Sequence, residues 1–197
     1  MLGFLLTSLV VELTPGPNMA TLASLTLRYG RRGGFAIVAG ITLGLAIVGT
    51  LAAFGLTELI AGIPYADHVL RWGGVFYMLY LAYDTWRDPP PGETGFSDHS
   101  SLLLRGLTIN LLNPKAAVFY LTVLPNFLDP QRAAVLWQTL LLVVIYLAVG
   151  LVVHGSIVLL AGRLRPVLVE GAGERMVRRA AAVAMVAIAV WFAWATR

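Results

Sequence analysis

Glu12-Leu13-Thr14-Pro15-Gly16-Pro17-Asn18 decides how this chain folds, because it interrupts a long apolar run near its middle. The run extends on both sides, from Leu2 to Leu27. Proline removes a backbone donor and clashes with the carbonyl four residues earlier, so a helix here must kink or break. A second run, Leu104 to Phe127, carries a matching interruption at Asn113-Pro114-Lys115, with Asn110 one turn before it. Pro15 and Pro114 lie 99 residues apart in a chain of 197, so each holds the same place in its half. Broken helices at corresponding positions of two halves point to the binding site of a secondary transporter.

The surrounding composition supplies the medium. The chain is 58% hydrophobic and 12% charged, against about 45–50% apolar and about 25% charged in soluble domains. Its mean hydropathy of +0.81 agrees, and apolar runs of about 20 residues, the length that crosses a bilayer core, recur from end to end. The expected partner is therefore a lipid bilayer. The net charge of +4 does not indicate nucleic acid, because the arginines sit in short connections and form no basic stripe with interleaved aromatics. With no cysteine, disulfides, thiolate metal sites and thiol relays are excluded. Met1-Leu2-Gly3-Phe4 lacks the basic region of a cleaved signal peptide, so the first run is expected to be retained.

Six spans are predicted, at roughly Leu2–Leu27, Gly34–Leu59, Val69–Trp86, Leu104–Phe127, Val135–Leu160 and Val177–Ala195. A Pro/Gly and Ser/Asp/His linker over residues 88–101 separates the third from the fourth. The expected fold is an all-α integral membrane protein, a single domain over 1–197. Its two three-helix repeats, 1–98 and 99–197, are inverted because three crossings per half is an odd number. Beyond the proline breaks the halves share little sequence, so the repeat is an inference from position.

Lysine and arginine in the connections set the orientation. Arg28, Arg31, Arg32, Arg87, Arg105, Arg163, Arg165, Arg175, Arg178 and Arg179 fall on one side, against Arg71, Arg132 and Arg197 on the other. Both termini are then external and the odd-numbered connections cytoplasmic. Trp72, Trp86, Trp191 and Trp194 stand near span ends, as interfacial anchors do. Ala36, Gly40 and Gly44 recur every four residues and predict a close helix contact.

Each break begins a new half-helix. Thr14 or Asn113 could cap it, with Pro15 or Pro114 in the first helical position. Such an N-terminus offers free amides and a positive dipole end, suited to a carboxylate. The midpoints of the two spans fall at residues 14 and 15, and at 115 and 116, which puts both breaks deep in the bilayer. Backbone exposed at that depth must be buried in protein or line a wet cavity. Prolines that merely kink a helix are the alternative, but two polar-rich breaks at matching positions favour function.

Two ionisable residues adjoin the breaks. Lys115 is the only lysine, and Glu12 is the only acidic residue well inside a predicted span. A charge at a helix centre costs roughly 2.5–3.5 kcal/mol on insertion scales, so such residues pair, neutralise or face water. Glu12 and Lys115 are either a structural pair or the working parts of a transport cycle, with Glu12 as proton carrier. Burial and any nearby lysine would act on that carboxylate in opposite directions. His154, alone within the fifth span, reads more readily as packing than as a relay.

At these stretches the chain resembles the lysine exporter (LysE/RhtB) family of amino-acid efflux transporters. Leu13-Thr14-Pro15-Gly16-Pro17-Asn18-Met19, with Gly33, Gly40 and Gly44 after it, is similar to the family's Pro-Gly-Pro signature. Asn110-Leu111-Leu112-Asn113-Pro114-Lys115-Ala116, through Phe119 to Pro125-Asn126-Phe127, is similar to its other recurrent motif. Length and span pattern agree, so the resemblance covers essentially the whole chain. It implies export of amino acids or similar small metabolites from the cytoplasm, coupled to proton entry. The role given to Glu12 comes from burial and not from the resemblance.

Other classes fit less well. The chain has no H-E-x-x-H, no G-x-S-x-G and no G-x-x-x-x-G-K-[ST], which disfavours a hydrolase or an ATP-driven pump. A membrane enzyme would need Glu12, His154 and the asparagines to converge. A channel would need rings of charge or a carbonyl filter. The expectation is a secondary transporter and not an enzyme, without cofactor or metal, in the cytoplasmic (inner) membrane. A homo-oligomer is compatible with it. Thr14, Pro15, Gly16, Pro17, Asn18, Asn110, Asn113, Pro114 and Lys115 would bind substrate, and Glu12 would carry the proton.

Overall fold

A computed structural model describes residues 1–14, 16–55, 65–87, 99–129, 131, 134–169 and 174–195. Among them the structure is helical, without strands. Helix α1 (Leu2–Leu13) is followed across the first break by α2 (Pro17–Ala53), then by α3 (Ala66–Arg87) and α4 (His99–Leu111). Across the second break come α5 (Pro114–Val118), a π-helical turn (Phe119–Val123) and a 3₁₀ turn (Leu124–Phe127). Helices α6 (Val135–Val169) and α7 (Glu174–Ala195) complete the described chain.

Both expected interruptions are present. The segments His99–Leu111 and Lys115–Phe127 meet at 53°. Pro15 lies outside the described residues, as do the end of the second predicted span and most of the central linker. The predicted third span coincides with a helix of 22 residues. By length and composition, α2 and Val135–Pro166 can cross a membrane, and the bent pair makes a third such unit.

Helix α2 is not one straight rod. Gly30 has φ +71° and ψ −176°, which a side chain rarely tolerates. In an uninterrupted helix Thr26 and Gly34 would be about 12 Å apart along the axis. Here a Cβ added at Gly34 would collide with the Thr26 hydroxyl, so the chain doubles back at Gly30. The expected connection between the first two spans is this one glycine, with helical geometry on either side of it.

The second arm of α2 lies between α4 and α6. A Cβ on Gly40 would strike the Leu103 carbonyl, and one on Gly106 the Ile37 carbonyl, so the two backbones touch through glycine on both sides. Gly44 leaves room for the Asn110 side chain. The glycine face read from the sequence is therefore the α2–α4 contact. On the α6 side, Gly34 meets Val158 and Gly49 meets Val143, an antiparallel register. Helix α3 packs against α7, and α1 against α6.

The distribution of polarity is that of a protein in lipid. Leu43, Phe76, Tyr80, Val144, Leu151 and Val152 are exposed, whereas Ser8, Glu12, Thr21, Asn110 and His154 are buried. Trp72, Trp86, Trp191 and Trp194 also stand on the outside.

Many of the basic residues gather at one end of the bundle. Arg105 pairs with Asp84 at 2.7 Å and Arg28 with the same carboxylate at 3.7 Å. Arg165 Nε donates to the Leu27 carbonyl at 3.0 Å, Arg31 fills the space left by Gly162, and Arg179 lies over Trp86.

Candidate functional site

The two breaks meet. Lys115 Nζ, in the first turn of α5, donates to the carbonyl of Thr14 at 2.9 Å, across 101 residues of sequence. Its chain also passes Gly16, where an added Cβ would lie 3.7 Å from Lys115 Cδ. Farther out, Phe4 of α1 packs on Phe119 and Phe127 beyond the second break, with centroids 5.8 and 5.1 Å away. Residues early in α1 thus oppose residues late in the second broken segment, so the two run antiparallel.

The breaks differ in how they are capped. Asn113 follows expectation: its side-chain Oδ1 accepts from Lys115 N at 3.1 Å and Pro114 takes the first helical position. At the first break the expectation needs correction. The Thr14 hydroxyl turns back to the Val10 carbonyl at 2.8 Å, closing α1 instead of opening α2. Gly16 is the cap residue of α2 and Pro17 its first position, with no side-chain cap bond. The N–H groups of Asn18 and Met19 therefore receive no side-chain cap, and both residues line a small cavity.

That cavity is where the breaks converge. Glu12 reaches it from α1, and Gly16, Asn18, Met19 and Leu45 from α2. Asn113, Lys115 and Ala116 come from the second break, and Tyr146 and His154 from α6. Its volume of ≈10 Å³ suits about one water molecule. Of the predicted residues, Glu12, Gly16, Asn18, Asn113 and Lys115 share this wall. Thr14 contributes its backbone carbonyl to Lys115, and Pro17 is buried at the start of α2. Asn110 is fully buried beside Gly44 and is not among the lining residues.

Glu12 does not pair with Lys115. It is 4% exposed and lies 3.4 Å from Nε2 of His154, itself 1% exposed. Tyr146 of α6 lines the same cavity. Gly150, one turn before His154, leaves room for the Glu12 carboxyl group. Tyr146, Gly150 and His154 are spaced by four and form one stripe of α6 facing Glu12.

Sequence reasoning treated His154 as packing and assigned no tyrosine. The signal available was this Tyr-x3-Gly-x3-His spacing in an apolar helix, which puts polar atoms and a gap on one face. The face is braced by aromatic contacts. Phe119 stacks on Tyr146 at 3.8 Å, Tyr120 meets Tyr146 edge-on at 5.5 Å, and the Tyr120 hydroxyl donates to the Leu45 carbonyl at 3.1 Å. Phe119 and Tyr120 open the π-helical turn, a distortion frequent at functional sites.

Chemically, the cavity presents one ammonium, one carboxylate with an adjoining imidazole and phenol, and the amide end of a long helix. Such a set can hold a small molecule bearing both charges. Among the described residues no cluster of three or more His, Asp or Glu could hold a metal ion.

Comparison with known proteins gives the same direction. A homoserine/homoserine lactone efflux protein of Salmonella typhimurium is 32% identical over 166 residues, 82% of this chain and 80% of that protein. A leucine efflux protein of Klebsiella pneumoniae is 32% identical over 134 residues, 65% of this chain and 63% of that one. An uncharacterized membrane protein of Vibrio cholerae is 34% identical over 135 residues, 66% of each chain. No solved structure matches at a significant level. The family model of the LysE type translocators matches residues 9–196, and the chain belongs to that family.

Proposed function

We propose that this chain is a proton-coupled exporter of amino acids or amino-acid-like metabolites, working in the cytoplasmic (inner) membrane. The observation that carries the reading is the convergence of two broken helices on one buried cavity with charges of both signs. Lys115 and the uncapped amides of Asn18 and Met19 suit a substrate carboxylate. Glu12, with Asn113 beside it in the wall, suits the substrate ammonium, and Asn110 supports the second break from behind. The relatives named for efflux of homoserine and homoserine lactone, and of leucine, handle molecules of this class.

A cavity that suits one water is too small for any amino acid. Substrate entry therefore requires the two broken helices to part, and the Lys115–Thr14 bond is the contact that must yield. Six spans in two inverted repeats, 1–98 and 99–197, would supply that motion as rocking of one half on the other. The antiparallel broken segments support this arrangement, as does the pairing of α3 with α7 and of the second α2 arm with α6. The gathering of Arg28, Arg31, Arg105, Arg165 and Arg179 at one end supports a cytoplasmic assignment for that end and external termini.

Glu12 is proposed as the proton carrier because it is a buried carboxylate that borders the cavity 3.4 Å from His154. A membrane enzyme would use the same convergence of Glu12, His154 and Asn113. Among the described residues, however, the cavity wall holds no serine, threonine or cysteine side chain for nucleophilic attack.

The test is efflux from preloaded vesicles under an imposed pH gradient, comparing the native chain with Glu12→Gln and Lys115→Ala. Undiminished transport in both variants would remove the site. Transport indifferent to the gradient in the native chain would remove the coupling and leave the exporter.

A further inference from the structure

We infer that the cargo is a zwitterion whose side chain carries no charge, and that the cavity rejects dibasic and diacidic amino acids. The inference rests on the exporter reading and specifies its substrate class. It follows from a census of charge. The wall holds one ammonium, Lys115, and one carboxylate, Glu12. The carboxylate and ammonium common to every α-amino acid engage both.

Among the described lining residues, no further carboxylate, ammonium or guanidinium is then left for a side chain. His154 stands 3.4 Å from Glu12, and neither of its ring nitrogens has a hydrogen-bond partner among the described residues. A proton on His154 would offset the Glu12 carboxylate and weaken the ammonium site instead of serving a second ligand charge. Tyr146 brings a phenol to the wall, and the Tyr120 hydroxyl donates to the Leu45 carbonyl. Arg28 and Arg105 share Asp84 at the bundle end and are not among the lining residues. A second ammonium or carboxylate on the substrate would enter a buried wall with no counter-ion, which is strongly disfavoured.

The remaining wall indicates what is accepted. Met19, Leu45 and Ala116 offer apolar contact. Asn18 is buried, lines the cavity, and its Oδ1 has no hydrogen-bond partner among the described residues. A substrate hydroxyl would satisfy that acceptor. Short aliphatic and hydroxylated side chains fit, with Asn18 telling them apart.

The test is exchange in vesicles reconstituted with the full chain, using homoserine, leucine, lysine and glutamate as separate cargoes. Homoserine and leucine should exchange, with lysine and glutamate slower by about tenfold or more. Asn18→Leu should slow homoserine more than leucine, and Asn18→Asp should raise lysine relative to leucine by supplying the missing carboxylate. Lysine or glutamate moving as fast as leucine in the native chain overturns the inference and leaves the exporter reading intact. No exchange of any of the four overturns both.

Discussion

The Lys115 ammonium donates to the Thr14 carbonyl at 2.9 Å and so ties the end of α1 to the start of α5. The acceptor is the terminal carbonyl of a helix, where the dipole favours a cation. The same ammonium borders the cavity, so in the proposed cycle one group would serve as latch and as ligand. A substrate carboxylate drawing Lys115 away from Thr14 would loosen the two breaks as it binds.

Replacing this group should therefore cost both stability and transport. Lys115→Met keeps the length of the chain but strips the Thr14 carbonyl of its donor. Loss of a hydrogen bond to a charged group removes about 1.5–3 kcal/mol, read as a lower unfolding midpoint in detergent. Efflux should fall to background. Full efflux with lowered stability would make Lys115 a latch alone.

Glu12→Gln tests a different link. Glutamine preserves the shape of the side chain, so the stripe of Tyr146, Gly150 and His154 should keep its packing. The side chain can no longer take up and release a proton. Exchange driven by a substrate gradient alone should outlast the response to an imposed pH gradient, which should vanish. A variant that still accumulates substrate against its gradient when pH is imposed would place the proton elsewhere.

Gly40 and Gly106 position the second break by letting the α2 and α4 backbones touch. A methyl at Gly40 would meet the Leu103 carbonyl, which belongs to a helix and has little room to retreat. Gly40→Ala should destabilise the protein by about 1–3 kcal/mol, the usual effect of overpacking. It should also impair efflux, because Asn110 and Asn113 ride on the displaced helix. Unaltered melting would mean that the two helices approach less closely.

Proline and charge made much of this legible in the sequence. Helices break at Pro17 and Pro114 because neither residue can donate a backbone hydrogen bond, and that loss is visible in the letters alone. Lys115 and Glu12 stood out because charge is rare in apolar runs. Three features were hidden. The capping role of Thr14 depended on a hydroxyl choosing between two helix ends, which composition does not decide. The contraction of the expected first connection to the single residue Gly30 was masked by flanking residues that remain helical on both sides. The true neighbour of Glu12 lay 142 residues away on α6. Only the packing of α1 against α6 settles that His154, and not Lys115, is within 4 Å of it.

The absence of cysteine makes the orientation directly measurable. Asp84, near the end of α3, lies with Arg28 and Arg105 at the arginine-rich end of the bundle. Tyr65 immediately precedes the start of α3 and is 74% exposed. The 22 residues of α3 span about 33 Å, so Tyr65 stands at the opposite end. Arg163 is exposed and lies two residues before Arg165, which bonds the Leu27 carbonyl at the arginine-rich end. In intact cells Tyr65→Cys should react with a membrane-impermeant maleimide, and Arg163→Cys only after the membrane is opened. The reverse pattern would turn the molecule over. It would then import what it is proposed to export, or export with its arginines outward against the charge rule.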